Sequence, residues 1–211
     1  MSNHYVDRFL NLRCSSDVLG VVNPIGNKPS KEISEAMTII QRVKPLALQQ
    51  PMHYGLLDLC AGNGLIGVLS VFSLPIKWAI GVDKRPRYRP WWKAKRFQYT
   101  KDDIFSPGML HLDACNSDPI ILTACHPCET KAERIIEICL ANKCIRHLVL
   151  MPCCEDRAVK PLYPERLRKV LGSYEVWAFH LAQLAKGTYF IDNDCLSPKN
   201  AVIVASKEEE K

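Results

Sequence analysis

The sequence predicts an α/β fold in which helices cover both faces of a mainly parallel sheet. The stretch Leu56–Phe72 contains an apolar run, a glycine turn and an apolar pattern at helical spacing, which predict a strand, a turn and a helix. Trp78–Asp83 is a second short apolar strand, and it ends in an acid. Two further strand-like runs, Pro119–Thr123 and His147–Met151, flank the helical pattern of Lys131–Leu140. Strands that alternate with helices in this way indicate a parallel sheet.

Length and composition fit one globular domain with a modest extension. The chain has 211 residues, 47% of them hydrophobic, which is enough for a substantial core. No run of about 18 uncharged apolar residues occurs, so we expect no membrane span, and Met1–Arg13 lacks an apolar signal core. The ten cysteines lack small-scaffold spacing, so we expect reduced thiols in an intracellular, cytoplasmic setting. The net charge of +6 slightly favours polyanionic partners.

The region before the first strand is predicted to be helical. Ser30 opens a pattern whose apolar positions continue to Val43, and Pro45 is expected to end the helix. The predicted divisions are a helical extension over residues 1–50, a core domain over residues 51–206 and a charged tail over residues 207–211.

The glycine turn after the first strand carries the clearest functional signal. Gly62 and Gly64 allow positive φ angles and a close approach of the backbone to a ligand. Asp83, 25 residues after Asp58, ends the next strand, where a carboxylate can accept hydrogen bonds from both hydroxyls of a ribose. The turn lacks the third glycine of a dinucleotide site and the Lys-Ser/Thr of a phosphate loop. The alternative interpretation is an ordinary turn with solvated acids.

The motif D-x-x-x-G-x-G from Asp58 to Gly64, followed by Asp83, resembles class I S-adenosylmethionine-dependent methyltransferases. The resemblance implies a Rossmann-like seven-stranded sheet and S-adenosyl-L-methionine as cofactor. It also implies that an acid after the third strand, Phe97–Thr100, reaches the adenine amino group, although that acid could instead cap a helix. The predicted cofactor-binding residues are Asp58, Cys60, Gly62, Asn63, Gly64, Asp83, Lys84, Asp102, Asp103, Ile104 and Thr123.

Two cysteine-containing motifs follow the fourth and fifth strands. His126-Pro127-Cys128 and Met151-Pro152-Cys153-Cys154 should converge, because neighbouring parallel strands end at one edge. They resemble a methyltransferase branch that includes tRNA 2′-O-methyltransferases with an H-x-C-G motif, and the resemblance covers about Leu56 to Cys154. Glu129 departs from it, since that branch usually has glycine there. The Asn/Asp-Pro-Pro-Tyr motif of amino-group methyltransferases is absent, which disfavours adenine N6 chemistry.

The catalytic candidates are His126, Cys128 and Cys125. His126 is the predicted general base, with a structural role as its alternative. Pro127-Cys128 also matches the dipeptide of pyrimidine C5 methyltransferases, in which the thiolate adds to the ring, and Pro152-Cys153 has a counterpart in their RNA-specific members. Cys125, however, takes the place of their ring-contacting Asp.

The same cysteines have two other interpretations. Cys125, Cys128, Cys153 and Cys154 could supply four sulfur ligands, with His126 as a substitute. The spacing lacks a second C-x-x-C, so a metal is not favoured, and thiols that fill small apolar space are the preferred alternative.

A basic, aromatic segment follows Asp83. Seven of the thirteen residues from Lys84 to Arg96 are basic, interleaved with Tyr88, Trp91 and Trp92. Cations beside stacking rings indicate single-stranded nucleic-acid binding, whereas the alternative is a solvated helix face with packed tryptophans. The predicted substrate-binding residues are Arg85, Arg87, Arg89, Trp91, Trp92 and Lys93.

The C-terminal third completes the predicted sheet. A helix is expected over Pro164–Leu171 and antiparallel strands over Tyr174–Phe179 and Ala201–Ala205, with Gly187–Asp194 between them facing substrate. The predicted function is methyl transfer from S-adenosyl-L-methionine to RNA, with tRNA as one candidate. The alternatives are a cofactor-binding module that regulates a partner and a pyrimidine C5 methyltransferase. The sequence also allows a protein partner or a homo-oligomer.

Overall fold

The computed structural model describes residues 3–23, 27–85, 88–110, 118–128, 130–153 and 163–207. Arg87, Glu129 and Cys154, which the sequence analysis singled out, lie outside these ranges, as does most of the predicted tail.

The core is a seven-stranded sheet with the order β3-β2-β1-β4-β5-β7-β6. The first five strands pair in parallel, and the last two pair antiparallel to their neighbours. Their bounds are β1 Gly55–Leu59, β2 Trp78–Asp83, β3 Phe97–Lys101, β4 Ile120–Cys125, β5 Ile145–Met151, β6 Thr188–Ile191 and β7 Ala201–Ser206. This topology confirms the predicted Rossmann-like seven-stranded sheet. Strand order reverses between β1 and β4, and open α/β sheets bind ligands at the carboxyl edge there.

Helices cover both faces of the sheet. Leu56 points to one face and packs with the helices that come before β2, whereas Leu57 points to the other face and packs with the later helices. The first group is α1 His4–Leu10, α2 Ser15–Val22, α3 Pro29–Gln49 and α4 Leu65–Ser73. The second is α5 Lys131–Ala141 and α7 Ser173–Leu184, and α6 Glu165–Leu171 packs against α7. Short 3₁₀ turns occur at Trp91–Lys93 and Pro107–Leu110.

Helix α3 is longer than the sequence pattern indicated. It runs through Pro45, which was expected to end it, and reaches Gln49. Val43 and Ala47 on either side of the proline are completely buried. Burial of this face offsets the backbone hydrogen bond that proline cannot donate.

The strand predicted over Tyr174–Phe179 is wrong, because this segment lies within helix α7. Five of its six residues are aromatic or aliphatic, and so short an apolar run also fits a strand. Over the whole helix, however, Tyr174, Trp177, Ala178 and Leu181 are all buried, which is the three-and-four spacing of one helix face. The sixth strand is instead Thr188–Ile191, within the segment predicted to face substrate.

Candidate active site

The glycine turn lies between β1 and α4 at the switch-point edge. The left-handed region is occupied at Cys60 (φ 58°), Gly62 (φ 57°) and Gly64 (φ 79°). A Cβ atom added at Gly64 would come within 3.0 Å of the Phe97 ring, so this position packs against the protein. A Cβ atom added at Gly62 would meet no described heavy atom within 4 Å, because this position faces open space. Gly62 therefore borders the space that a ligand would use.

Asp83, at the end of β2, lies next to this turn. Its Oδ2 accepts a hydrogen bond from the Gly62 amide at 3.0 Å. Arg85 donates from its backbone nitrogen and Nε to Oδ1, at 2.9 and 3.2 Å, and from Nη2 to Oδ2 at 3.3 Å. Burial alone would raise the pKa of Asp83, but the hydrogen bonds from Arg85 and Gly62 outweigh it and lower the pKa. The carboxylate is thus ionised and already paired.

Asp58 has a different environment although it lies one strand away. Thr123, its register partner on β4, donates a hydrogen bond to its Oδ1 at 2.9 Å, whereas its buried Oδ2 has no hydrogen-bond partner among the described residues. Burial raises the pKa of Asp58 to about 7, and the Thr123 hydrogen bond offsets only part of this. Burial also raises the pKa of the Cys60 thiol to about 12. Asp58 therefore presents one unpaired carboxyl oxygen at the sheet edge.

The two acids after β3 form a turn beside the same edge. Asp102 accepts hydrogen bonds from the Asp103 amide and the Ser106 hydroxyl, both at 2.7 Å. Asp103 accepts one from the Phe105 amide at 3.1 Å. Both acids cap a turn, and Ile104 between these contacts is a buried apolar side chain. The group has the polar and apolar parts predicted for an adenine site.

One cavity of about 760 Å³ joins these groups. Its size falls within the range of small-molecule sites, roughly 300–1,000 Å³. Every predicted cofactor residue contributes to its lining except Gly64 and Thr123, and Arg85, Arg89, Cys125, His126 and Cys128 also contribute. The cavity also reaches Lys31 and Glu35 of α3, so the N-terminal helix forms one of its walls.

His126 follows β4 in a left-handed backbone conformation, with φ at 56°. Its amide donates to the Met151 carbonyl at 2.7 Å, which ties the turn to the end of β5. Its ring Nε2 lies 2.6 Å from Oε1 of Glu35 and 3.4 Å from Oγ of Ser197. Its buried Nδ1 has no partner in the described part of the chain. The backbone turn and two distant segments thus fix the imidazole at the cavity wall.

The cysteines separate into two places. The Sγ atoms of Cys128 and Cys153 are 2.8 Å apart, and each lies near the carbonyl oxygen of His126, at 3.5 and 3.6 Å. Cys125 instead contacts Sδ of Met151 at 3.8 Å, and burial raises its thiol pKa well above the usual range. None of the eight described cysteines forms a disulfide.

The predicted four-sulfur cluster is therefore not assembled by the described cysteines. One other group of metal-type ligand atoms does meet, from Glu35, Cys125 and His126, within 4.8 Å of one another. Lys31 Nζ lies 3.1 Å from the Glu35 carboxylate, and the carboxylate already pairs with the imidazole. This donor set fits a shared proton better than a cation, because the neighbouring ammonium repels a positive ion. A metal site at these cysteines therefore stays a prediction from the sequence.

The basic, aromatic segment contains a 3₁₀ turn and no long helix among its described residues. Trp91 is half-buried and stacks on Tyr99, with ring centroids 3.8 Å apart and planes 7° apart. One face of the Trp91 ring is therefore covered by Tyr99, and its Nε1 donates a hydrogen bond to the Asn63 carbonyl of the glycine turn at 3.4 Å. Tyr88 and Trp92, in contrast, are 87% and 77% exposed. Arg85, predicted to contact substrate, pairs with Asp83.

Sequence analysis missed Glu35, Ser197 and Tyr99 as site residues. Tyr99 donates its hydroxyl to the Gly62 carbonyl at 2.8 Å and so holds the turn. Ser197 gives no sequence signal, because it lies in the loop before β7. Glu35 does give one, since it is a carboxylate between the apolar positions of the α3 pattern, and a buried carboxylate requires a partner.

The sheet order and the glycine turn at its switch point define a Rossmann-like α/β protein. The chain belongs to the family described as Methyltransferase domain, whose model matches residues 28–160. No curated protein matches the sequence significantly.

Solved structures with a similar fold include several methyltransferases. The methyltransferase domain of a bacterial Hen1 protein is 12% identical, with a TM-score of 0.46, over 82% of this chain and 100% of that one. TrmK of M. capricolum, bound to S-adenosyl-homocysteine, is 11% identical, with a TM-score of 0.40, over 77% of this chain and 66% of that one. A cyclopropane-fatty-acyl-phospholipid synthase-like protein from Lactobacillus casei is 12% identical, with a TM-score of 0.46, over 89% of this chain and 79% of that one.

Across the described ranges, no helix combines the length and the apolar character needed to cross a membrane.

Proposed function

We propose that this protein transfers a methyl group from S-adenosyl-L-methionine to RNA. One observation carries the proposal: the Gly62 turn and the Asp83 carboxylate are hydrogen-bonded to each other and line the same cavity. The chain in which they do so belongs to a methyltransferase family. The residues present fit the cofactor, since a Cβ added at Gly62 would point into open space and one oxygen of buried Asp58 lacks a described partner. When bound, the cofactor supplies an electrophilic methyl group.

Each part of the cavity suits a part of that cofactor. The glycine turn lets the backbone approach the ligand, and the Asp83 carboxylate suits the ribose hydroxyls. Asp102 and Asp103 suit the adenine amino group, and Ile104 suits the face of the ring. The unpaired oxygen of Asp58 suits a donor group on the cofactor.

The surface beside the cavity supports RNA as the methyl acceptor. Two exposed rings, Tyr88 and Trp92, lie in the same segment as Arg89 and Lys93, and Arg89 lines the cavity itself. Exposed rings can stack on bases while the cations neutralise phosphates. In this proposal His126 accepts the proton of the methylated group, because it lies at the cavity wall with one unpartnered ring nitrogen.

The reduced cysteines and RNA chemistry together support a cytoplasmic location. A protein partner or a homo-oligomer stays a prediction from the sequence.

The test is transfer of a labelled methyl group from the cofactor into pools of total RNA and total protein. We expect label in RNA, with digestion to nucleosides identifying the target atom. Label in protein alone would overturn the RNA part of the proposal. Cofactor binding without label in any pool would favour a regulatory binding module.

One observation favours a second candidate, a cysteine-dependent pyrimidine C5 methyltransferase. Cys128 is exposed at the cavity, and its sulfur lies 2.8 Å from that of Cys153. In that chemistry the Cys128 thiolate adds to carbon 6 of the base, and carbon 5 then takes up the methyl group. A general base finally removes the proton at carbon 5, and the bond between carbon 6 and Cys128 breaks to release the thiolate. An RNA adduct that persists on denaturing gels in Cys153→Ser, and is absent from the variant that also carries Cys128→Ser, would establish it. Unchanged methyl transfer by Cys128→Ser would exclude it.

A further inference from the structure

Glu35 is a buried carboxylate in the N-terminal region, outside every predicted site. It lies in the middle of α3 and is only 5% exposed. Burial of an unpaired carboxylate is costly, so its contacts indicate why it is there. Its Oε1 lies 2.6 Å from Nε2 of His126 and 3.1 Å from Nζ of Lys31. The carboxylate thus joins a helix from the start of the chain to the residue proposed to accept a proton.

Glu35 is ionised in this environment. Burial would raise its pKa, but the hydrogen bond from His126, followed by the hydrogen bond and charge of Lys31, outweighs burial and lowers the pKa. An ionised carboxylate can only accept hydrogen bonds. The short contact with Nε2 therefore requires a hydrogen on that nitrogen of the imidazole.

The hydrogen on Nε2 decides which nitrogen can act as a base. In a neutral imidazole one ring nitrogen carries the hydrogen and the other carries the lone pair. With Nε2 donating to Glu35, the lone pair lies on Nδ1, the buried nitrogen that has no partner among the residues described. A buried polar atom without a partner costs about 1–3 kcal/mol. Because His126 lines the cavity, a ligand group that reaches the buried Nδ1 would supply the missing partner.

We propose that Glu35 is a positioning residue that fixes the ring and the tautomer of His126, so that Nδ1 accepts the proton of the methyl acceptor. The inference depends on the proposed function and extends it. In the proton-transfer step the acceptor group loses its hydrogen to Nδ1, and the bonding electron pair stays on the acceptor atom. The hydrogen on Nε2 stays in place, and the negative charge of Glu35 balances the new positive charge on the ring.

Ser197 provides the second contact to Nε2, at 3.4 Å, and it is also buried. A neutral hydroxyl can donate or accept, so it cannot select a tautomer as a carboxylate does. Glu35 and Ser197 can therefore be separated by substitution.

The first experiment measures the tautomer of His126 without cofactor or RNA. Long-range ¹H–¹⁵N correlation spectra separate the two ring nitrogens, and His126→Asn assigns the signal among the six histidines. We expect the hydrogen on Nε2 in wild type and in Ser197→Ala, and loss of this preference in Glu35→Gln. Glu165→Gln is the matched control, since it removes a carboxylate from another i,i+4 ion pair, with Lys169 at 2.8 Å on α6. An unchanged tautomer in folded Glu35→Gln would overturn the proposal.

The second experiment measures methyl transfer by the same variants. We expect kcat to fall about 10- to 100-fold in Glu35→Gln, with KM for the cofactor unchanged. This loss is smaller than the loss of about 10²–10⁴-fold expected when a general base is removed. Glu35→Asp should recover part of the loss, because it restores the charge. A rise in KM with unchanged kcat would assign Glu35 to the cavity wall only and would overturn the proposal.

The two experiments separate the inference from the proposed function. If wild type transfers no methyl group and Glu35→Gln still changes the tautomer, the proposed function fails while the Glu35–His126 contact stands. If wild type is active and Glu35→Gln changes neither the tautomer nor kcat, the inference fails alone.

Discussion

Replacement of Arg85 by Gln should tighten cofactor binding, although Arg85 lies beside the cofactor cavity. A carboxylate offers about four lone-pair positions. All four positions on Asp83 are used, one by the Gly62 amide and three by Arg85, of which two come from its side chain. Ribose hydroxyls can pair with Asp83 only after the guanidinium leaves. Arg85→Gln removes this competition.

The magnitude follows from the exposure of the ion pair. The Arg85 side chain is 62% exposed, so the pair has the strength of a surface ion pair, about 0.2–1 kcal/mol. Removing it should lower the dissociation constant about 1.4- to 5-fold. The gain should shrink at high salt, because salt already weakens the pair.

The assay is calorimetric titration of S-adenosylhomocysteine into wild type and Arg85→Gln at low and high salt. Lys169→Gln is the control, since it removes a cation from an exposed ion pair on α6, remote from the cavity. Unchanged or weaker binding by folded Arg85→Gln at low salt would refute the competition argument. Unchanged binding would mean that the guanidinium does not affect the cofactor, and weaker binding would mean that it contributes to the cofactor site.

Three further predictions concern the cavity and its rim. Gly62→Val should abolish cofactor binding as measured by calorimetry. It should also lower the free energy of unfolding by about 1–2 kcal/mol, because valine is strained at a φ angle of 57°. Unchanged affinity would exclude this turn as the cofactor site. Asp58 has a folded pKa of about 7, above its usual 3.8, so the bound proton stabilises the folded state and this contribution is lost as pH rises from about 4 to about 7. Denaturant titrations should therefore show that the free energy of unfolding of wild type falls by roughly a few kcal/mol relative to that of Asp58→Asn over that range. Parallel curves of unfolding free energy against pH for the two proteins would contradict the burial argument. Replacing Arg89 and Lys93 together by Gln should reduce the salt slope of binding to single-stranded RNA by about 1.4, and an unchanged slope would remove these cations from the interface.

Local signals predicted the central part of the fold. The strand Leu56–Leu59, its glycine turn and α4 follow each other without interruption, and each has its own sequence signal. The segment Tyr174–Phe179 was misassigned because a short, largely apolar run fits either a strand or a buried helix, and only the longer helix distinguishes them. The prediction that α3 ends at Pro45 failed for another reason, because tertiary burial can outweigh a local helix breaker.

The candidate site was predictable where it depends on strand ends. Parallel strands align their carboxyl ends, so Asp58, Asp83 and His126 could be placed at one edge from the sequence. The contact of His126 with Glu35 spans 91 positions and depends on how α3 packs on the sheet, which no local pattern encodes. The pairing of Arg85 with Asp83 is close in sequence, but it competes with the role that a basic run suggests.

The most direct test of the central claim is calorimetric titration of S-adenosylhomocysteine into wild type and Asp83→Asn. The account predicts one binding site per wild-type chain and about 100-fold weaker binding by Asp83→Asn, because two charge-assisted hydrogen bonds to the ribose are lost. It also predicts that the variant stays folded, since the asparagine oxygen can still accept from the Gly62 amide. No binding by wild type, or equal affinity in the folded variant, would contradict the account.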